Sequence, residues 1–164
     1  MKRALALTLL LVAGSAAPAL AGCADPAAPG VVWRRCYHDG RNFVGAKLAG
    51  AQLRDTSFAR ADLSGADLSG ADARRAKFFA AKAKGVKFDG ADLIEADFSR
   101  ADLTGASFRK ADLRRVEFYR TVLRGADFTG ARLEDAQFVR ADLSGATWTD
   151  GTTVCAEGSI GQCD

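Results

Sequence analysis

The sequence predicts an all-β fold in which short extended segments wind into a stacked parallel coil. A five-residue period runs without insertion over 41–150, and the residue at the centre of every unit is apolar. The residue two before the centre is usually Ala and the one between them usually polar, which is the alternation of an extended chain. The two residues after the centre are often Ser-Gly or Thr-Gly, which favour a tight turn. A unit this short cannot bury its own apolar face, so successive units must stack on one another.

The period comprises 22 units, and 17 of them carry Ala two residues before the centre. A helix is excluded, because a step of five residues rotates the apolar positions by about 140° and spreads them around the whole helix. The centres are nine Phe, ten Leu, two Ala and one Trp: Phe43, Leu48, Leu53, Phe58, Leu63, Leu68, Ala73, Phe78, Ala83, Phe88, Leu93, Phe98, Leu103, Phe108, Leu113, Phe118, Leu123, Phe128, Leu133, Phe138, Leu143 and Trp148.

These units resemble the A-(D/N)-L-x-x signature of the pentapeptide-repeat family, most closely at 61–65, 66–70 and 101–105. The resemblance implies a right-handed, four-sided parallel β-helix, in which each centre and the residue two before it point inward. It also implies four units per coil and therefore about five and a half coils. Aromatic centres 20 residues apart, such as Phe58 and Phe78, are then expected to stack as core.

The third coil is expected to be thinly packed, because two of its centres are the small residues Ala73 and Ala83. Phe78 lies between them and compensates in part. The sequence predicts a locally wider groove or a small void there.

The first 21 residues have the three parts of a secretory signal: Lys2 and Arg3, an apolar run over 5–12, and a small-residue stretch ending at Ala21. Residues 14–18 interrupt the apolar run before it reaches the roughly 20 residues of a membrane span. We therefore expect a bacterial protein that is exported to the periplasm or secreted.

The four cysteines flank the repeat, two on each side. An even number in an oxidising compartment predicts two local disulfides, Cys23–Cys36 and Cys155–Cys163, since other pairings would join opposite ends of the coil. One alternative concerns Cys23, because the run Leu20-Ala21-Gly22-Cys23 resembles the lipobox of bacterial lipoproteins. Lipidation of Cys23 would anchor the protein in the outer membrane and leave one thiol unpaired.

The chain is thus expected to contain a signal peptide (1–21), an N-terminal cap segment (22–40), the repeat (41–150) and a disulfide-closed C-terminal cap (151–164). Trp33 lies ten residues before Phe43, in register with the repeat. The first turn is therefore expected to begin at Trp33.

Charge gives no general argument for a nucleic-acid partner. The formal net charge of +3 includes Lys2 and Arg3, so the 21 basic and 20 acidic residues after residue 21 nearly balance. Some pentapeptide-repeat proteins are DNA mimics that bind type II topoisomerases. That role needs an acidic stripe, whereas the repeat holds 19 basic and 16 acidic residues.

The sequence carries no catalytic or cofactor-binding motif, and we expect neither an enzyme nor a cofactor. The only histidine, His38, is expected to be a solvated side chain in the lead-in to the repeat. Asp72, Asp92 and Asp112 would lie on one side at intervals of one coil, where stacked carboxylates could attract Ca²⁺. Arginines close to them in sequence favour a solvated, charge-paired face, so no metal is expected.

Two outer surfaces are candidate sites. A basic run without acidic residues could bind an anionic polymer or lipid head groups, although the coil should spread it over several sides as a solvated belt. It comprises Arg74, Arg75, Lys77, Lys82, Lys84 and Lys87.

On one side of the coil, aromatic and Arg residues suit a protein interface, although acids follow three of the arginines and could neutralise them. This set is Arg60, Phe79, Arg100, Tyr119, Arg120, Val139 and Arg140.

The leading interpretation is a non-enzymatic exported structural or interaction protein whose rigid β-helix presents a surface to a protein or cell-envelope component. The alternatives are an anion- or polysaccharide-binding envelope protein or lipoprotein and, with less support, a DNA mimic. A homodimer is a further expectation. A membrane is expected as a partner only if Cys23 is lipidated.

Overall fold

The computed structural model describes residues 22–164, and the expected signal sequence at 1–21 lies outside them. The described chain is a parallel β-helix in which each parallel bridge joins residues 20 positions apart. These bridges begin at Val32–Gln52 and continue in five-residue steps to Asp127–Thr147. Four five-residue units therefore complete one coil, in agreement with the repeat.

Each side of the coil is named here after its first centre. The coil begins with Trp33 and His38, two units before the repeat signature, so its units make six turns. The predicted five and a half turns counted only the units of 41–150. The centres are 33, 53, 73, 93, 113 and 133 on the Trp33 side, and 38, 58, 78, 98, 118 and 138 on the His38 side. They are 43, 63, 83, 103, 123 and 143 on the Phe43 side, and 48, 68, 88, 108, 128 and 148 on the Leu48 side.

Every side is so short that it contributes one isolated bridge before the chain turns. The N–H of Ala61 donates to the carbonyl oxygen of Phe58 at 3.0 Å, and the same bond recurs at successive corners. The residue before that N–H has a positive φ, 58° at Arg60, as at the third position of a type II turn. Among the described residues, the non-glycine residues with positive φ all follow centres on the Trp33 or His38 side, except Lys110. Charged residues therefore occupy two corners that glycine would fill with less strain.

Two aromatic columns fill the core, as the 20-residue spacing predicted. On the His38 side the rings of Phe78 and Phe98 stack with centroids 4.6 Å apart and planes 5° apart. On the Leu48 side Phe108 and Phe128 stack at 5.3 Å and 4°. The two columns meet edge to face, for example Phe78 on Phe88 at 5.5 Å and 74°. These offset and T-shaped pairs are the favoured aromatic geometries, so the interior is accounted for by packing.

The thin third coil stays a prediction. Ala73 and Ala83 are fully buried. Phe78 between them stacks on Phe58 at 5.5 Å and on Phe98 at 4.6 Å, which keeps the column continuous at this level.

His38 is a correction to the sequence analysis, which expected a solvated side chain. It occupies a centre position and is fully buried. Its ring lies 5.5 Å from Phe58 and 4.2 Å from Trp33, so it continues the aromatic column by one coil. The expectation was wrong because the coil begins before the recognisable repeat and turns the ring inward.

The N-terminal segment 22–30 packs against the first coil. Cys23 and Cys36 form a disulfide with Cα atoms 5.4 Å apart, which is the expected pairing. The indole N–H of Trp33 donates to the carbonyl oxygen of Asp25 at 3.2 Å, and the N–H of Gly30 donates to Ala49 at 2.8 Å. These bonds hold the segment beside the buried Trp33 ring.

The C-terminal segment folds back on the last coil. It pairs antiparallel at Asp142–Ile160 and Thr147–Val154, and the disulfide between Cys155 and Cys163 closes it. The segment therefore pairs with two of the four sides of the last coil. The other two end in Leu133 and Phe138, which are only partly buried.

Candidate interaction surface

The aspartate ladder of the Trp33 side is occupied by arginines. Asp72 accepts from Arg54 at 2.8 Å and from Arg74 at 3.1 Å, and Arg74 also lies 3.3 Å from Asp92. Burial raises the pKa of Asp72, but hydrogen bonds from Arg74 and Arg54 outweigh it and lower that pKa to about 2. The carboxylates are thus bound to guanidinium groups, and no cluster of three potential metal ligands occurs within 22–164.

The basic run 74–87 is distributed around the coil. Arg74 and Arg75 lie on the Trp33 side, Lys77 on the His38 side, Lys82 and Lys84 on the Phe43 side, and Lys87 on the Leu48 side. Three of these cations have carboxylate partners: Arg74 as above, Arg75 on Asp55 at 2.7 Å, and Lys84 on Asp102 at 3.3 Å. The structure does not gather these six residues into one patch.

The second candidate set does share one side. Arg60, Arg100, Arg120 and Arg140 all lie at the corner of the His38 side and are exposed, and we call them the arginine row. With one coil rising about 4.8 Å, Arg60 and Arg140 are about 19 Å apart along the axis. Ala80, between Arg60 and Arg100, interrupts the row and has the same positive-φ backbone conformation.

Aromatic side chains lie beside the arginine row. The guanidinium carbon of Arg100 lies 5.7 Å from the ring centroid of Phe79, and that of Arg120 lies 5.2 Å from Tyr119. Both rings are partly exposed, and Val139 at the end of the row is 53% exposed. These cation–π contacts hold two cations over apolar surface, at about 0.5–1 kcal/mol each for exposed sites.

The arginine row makes no ion pair among the described residues. The acids that follow three of its members face other partners: Asp62 accepts from the N–H of Ser64 at 3.1 Å, Asp102 from Thr104 and Lys84, and Asp142 from Ser144 and Arg124. Neighbours in sequence therefore do not neutralise the row, because the turn directs the acids to the next side.

The corner of the Trp33 side shows the opposite arrangement. Its residues alternate in sign from coil to coil: Arg35, Asp55, Arg75, Glu95, Arg115 and Asp135. Arg75 binds Asp55 through two hydrogen bonds of 2.7 and 3.0 Å, and Arg115 binds Glu95 at 2.7 and 3.0 Å. The hydrogen bond from Arg75 lowers the pKa of Asp55. Four of the six charges at this corner are therefore paired with one another, whereas none of the four arginines of the arginine row is paired within the described residues.

The sequence analysis missed a group of basic residues at the start of the Trp33 side. Arg34, Arg35 and Arg54 line a cleft there together with Asp55 and Arg75. The register of Trp33 could have revealed this group, because it places Arg34 and Arg35 one coil before Arg54 and Asp55.

In the part of the chain that the structure describes, no helix has the length and apolar character needed to cross a bilayer.

Comparisons with known proteins agree with this geometry. Two models of pentapeptide repeats match the chain, one over 42–78 and 84–118 and the other over 103–147. No curated protein matches the chain significantly.

Several solved structures are similar. HetL, a pentapeptide repeat protein involved in heterocyst differentiation regulation from the cyanobacterium Nostoc sp. strain PCC 7120, is 32% identical, with a TM-score of 0.55, over 75% of this chain and 62% of HetL. The chain thus spans less than two thirds of the length of HetL. A pentapeptide repeat protein of the Arabidopsis thaliana thylakoid lumen is 25% identical over 79% of this chain and 85% of its own, with a TM-score of 0.47. QnrB1, a plasmid-mediated fluoroquinolone resistance protein, is 23% identical over 79% of this chain and 81% of its own, with a TM-score of 0.34.

The coil of four five-residue units, the inward Ala and Leu or Phe columns and the matching repeat models lead to one conclusion. The chain belongs to the pentapeptide-repeat family.

Proposed function

We propose that this protein is a non-enzymatic, exported interaction protein whose His38 side binds an acidic surface of a protein partner in the cell envelope. The observation that carries the proposal is the arginine row, which lacks carboxylate partners among the described residues, while two ion pairs, Arg75–Asp55 and Arg115–Glu95, occupy the adjacent corner. Hot spots of protein interfaces are enriched in Arg and Tyr. The His38 side presents the arginine row together with the partly exposed rings of Tyr119 and Phe79.

The coil supports this role by holding the side chains rigidly. Backbone bonds such as Arg100 N–H to Tyr119 carbonyl at 2.8 Å and Arg120 N–H to Val139 carbonyl at 3.0 Å fix neighbouring corners. The cation–π contacts restrict the two guanidinium groups further. Groups that are already ordered lose less conformational entropy on binding, which favours affinity.

The proposal is tested by affinity capture from cell envelopes with the Phe79→Ser/Tyr119→Ser double variant. We expect it to lose the partner that the wild type retains, because both rings leave the interface and both arginines lose their support. The matched control is Val44→Ser/Val154→Ser, which removes two exposed apolar residues, 57% and 60% exposed, from other places. Equal capture by wild type and the ring variant, with an unchanged oligomeric state, would overturn the proposal.

Charge gives a second test on the captured partner. Arg100→Gln/Arg120→Gln is expected to weaken binding of the captured partner. Binding by the wild type should weaken as the salt concentration rises, because exposed charges are screened within about 10 Å at 0.1 M. Binding that ignores both the variant and the salt concentration would show that the row is not the contact.

A second candidate is an anion- or polysaccharide-binding envelope protein. It is favoured by the same unpaired arginines, since a linear polyanion could follow a row along the axis. Salt-dependent binding to lipopolysaccharide or peptidoglycan that is lost in Arg100→Gln/Arg120→Gln would support it. A DNA mimic is disfavoured, because the exposed row is cationic and mimicry requires an anionic stripe.

Export is part of the proposal. The two disulfides support it, since such bonds persist in oxidising compartments. The alternative is an outer-membrane lipoprotein anchored through Cys23. Mass spectrometry of the mature protein distinguishes the two, because an acylated Cys23 could not pair with Cys36.

A further inference from the structure

A cleft of about 520 Å³ opens beside the first coils of the Trp33 side, around a corner from the arginine row. We call it the arginine cleft; it is lined by Arg34, Arg35, Arg54, Asp55 and Arg75. These residues follow the centres of three successive coils, which brings their Cα atoms to spacings of about 4.8 Å along the axis. The cleft therefore gathers four guanidinium groups and one carboxylate that are distant in sequence.

The charges in the arginine cleft do not cancel. Arg75 is neutralised by Asp55 through two hydrogen bonds, of 2.7 and 3.0 Å. Arg54 binds Asp72 at 2.8 Å, but Asp72 is shared with Arg74.

Within residues 22–164, the two remaining arginines make no ion pair with an acidic residue. Arg34 donates to the side-chain oxygen of Gln52, which is a neutral amide. Arg35 forms no ion pair among the described residues, although the corresponding positions of the next four coils hold paired charges. About two positive charges therefore remain uncompensated at the cleft.

One donor of the cleft is also unsatisfied. The Nε atom of Arg54 is buried and has no hydrogen-bond partner among the described residues. A buried donor without an acceptor is costly, and few such groups occur in native structures. An oxygen-bearing anion could accept from this donor only after the Arg54 side chain turns toward the cleft, because the Nε atom is inaccessible in this conformation.

We propose that the arginine cleft binds a phosphate group, either free or at the end of a phosphomonoester. Such a group carries nearly two negative charges and several acceptor oxygens, which match the uncompensated charge and the guanidinium donors. Planar guanidinium forks bind phosphate through paired hydrogen bonds, which a neutral ligand could not exploit. The cleft is separate from the surface of the proposed function, so either proposal can fail alone.

The first experiment is a titration of the purified protein with inorganic phosphate at constant ionic strength, followed by calorimetry and thermal unfolding. We expect saturable binding and a melting temperature that rises with phosphate more than with an equal ionic strength of chloride. Arg34→Gln/Arg35→Gln should weaken binding at least tenfold. Arg54→Lys should weaken it several-fold, since it keeps the charge and loses the fork.

The matched control is Arg109→Gln/Lys110→Gln, which removes two cations from the equivalent two corner positions after Phe108 on the Leu48 side. It should bind phosphate within about twofold of the wild type. Unfolding curves without phosphate identify any variant that fails to fold, and Arg54→Lys provides a mild substitution in that case. A wild type that responds equally to phosphate and chloride, or a control that loses as much binding as Arg34→Gln/Arg35→Gln, would overturn the proposal.

A second experiment identifies the source of the phosphate group. It measures binding of the protein to vesicles of phosphatidylcholine with and without phosphatidic acid. Binding only to vesicles with phosphatidic acid, displaced by inorganic phosphate and lost in Arg34→Gln/Arg35→Gln, would assign the cleft to a lipid head group. Saturable binding of inorganic phosphate without vesicle binding would assign it to a free phosphate. Vesicle binding that survives in Arg34→Gln/Arg35→Gln and is not displaced by phosphate would count against the cleft.

Discussion

His38 illustrates how one position can depart from its column. It is fully buried one coil before the first phenylalanine of the His38 side. Its Nδ1 atom lies 3.0 Å from a terminal nitrogen of Arg41, whereas its Nε2 atom has no hydrogen-bond partner among the described residues. Since Arg41 must donate, Nδ1 accepts and Nε2 carries the proton. His38→Phe should raise the free energy of unfolding by about 1 kcal/mol, because it removes an unsatisfied donor and extends the aromatic column. Chemical denaturation at pH 7 measures this, and a destabilised variant would contradict it.

Burial and the charge of Arg41 lower the pKa of His38 below 6.5, against an opposing effect of Asp39. The unfolded chain therefore binds more protons at this position as pH falls. The corresponding stability is fully present above pH 6.5 and declines as pH falls toward the folded-state pKa. Denaturation curves at a series of pH values should show this decline in the wild type and lose it in His38→Phe. Parallel curves for the two proteins would refute the assignment.

Phe78 and Phe79 are neighbours with opposite environments. Phe78 is fully buried between stacked rings, and Phe79 is partly exposed under Arg100. Phe78→Ala should cost about 3–5 kcal/mol through lost burial and the cavity it leaves. Phe79→Ser should cost less than about 1 kcal/mol, which makes it a usable probe of binding. Urea denaturation of both variants measures the difference. Similar losses of unfolding free energy would contradict the assignment of Phe78 to the core and Phe79 to the surface.

At the level of elements, the C-terminal segment acts as a cap. The N–H of Leu143 donates to the carbonyl oxygen of Ser159, and the N–H of Gly145 donates to that of Cys155, both at 2.9 Å. Cys155→Ser/Cys163→Ser should destabilise the protein by about 2.5–3 kcal/mol according to chain entropy. Reduction of both disulfides should likewise lower the melting temperature. An unchanged melting temperature would show that the cap does not depend on its crosslink.

The ion pairs of the Trp33 side form a second element with a measurable signature. The pKa of Asp72 is about 2, below the usual value of 3.8. Its contribution to the free energy of unfolding is therefore present above pH 3.8 and is lost as pH falls toward 2. Its side chain is 26% exposed, and the contribution should be on the order of 1–2 kcal/mol. Asp72→Asn should remove that part of the acid dependence between pH 4 and 2. Urea titrations at both pH values test this, and Asp62→Asn serves as a comparison outside the arginine network.

At the scale of the molecule, each coil contacts only the coils before and after it, so stability should vary along the axis. Backbone groups of the central coils bond to both neighbouring coils: the N–H of Lys87 donates to Ala66 in the coil before, at 2.9 Å, and the N–H of Phe88 donates to Ser107 in the coil after, at 2.7 Å. Leu133 and Phe138 lie at the last coil, where the cap does not pair with them. Hydrogen exchange should therefore be slowest in the central coils and faster at 133–140. Uniform exchange would indicate that the whole coil opens in one cooperative step.

The sequence by itself determined the coil. A five-residue period with alternating apolar residues requires short extended segments that stack, and the resemblance to pentapeptide repeats implies four units per coil. The aromatic columns follow from the resulting 20-residue spacing, and the local cysteine pairs follow from position in the chain. It also predicted that the four arginines of the arginine row share one side, since their register follows from the repeat, while the binding role of that side stays a prediction. It did not predict the burial of His38 or the cleft at Arg34, because the first coil departs from the signature there.

Only the tertiary structure decided which charges are paired. Asp62, Asp102 and Asp142 stand two residues after arginines of the row, and sequence proximity suggested neutralisation. A turn separates each acid from its arginine and places it on the next side, where it binds the backbone or a cation one coil away. Charge pairing across coils depends on side-chain direction at each corner, and this direction cannot be read from the order of residues alone.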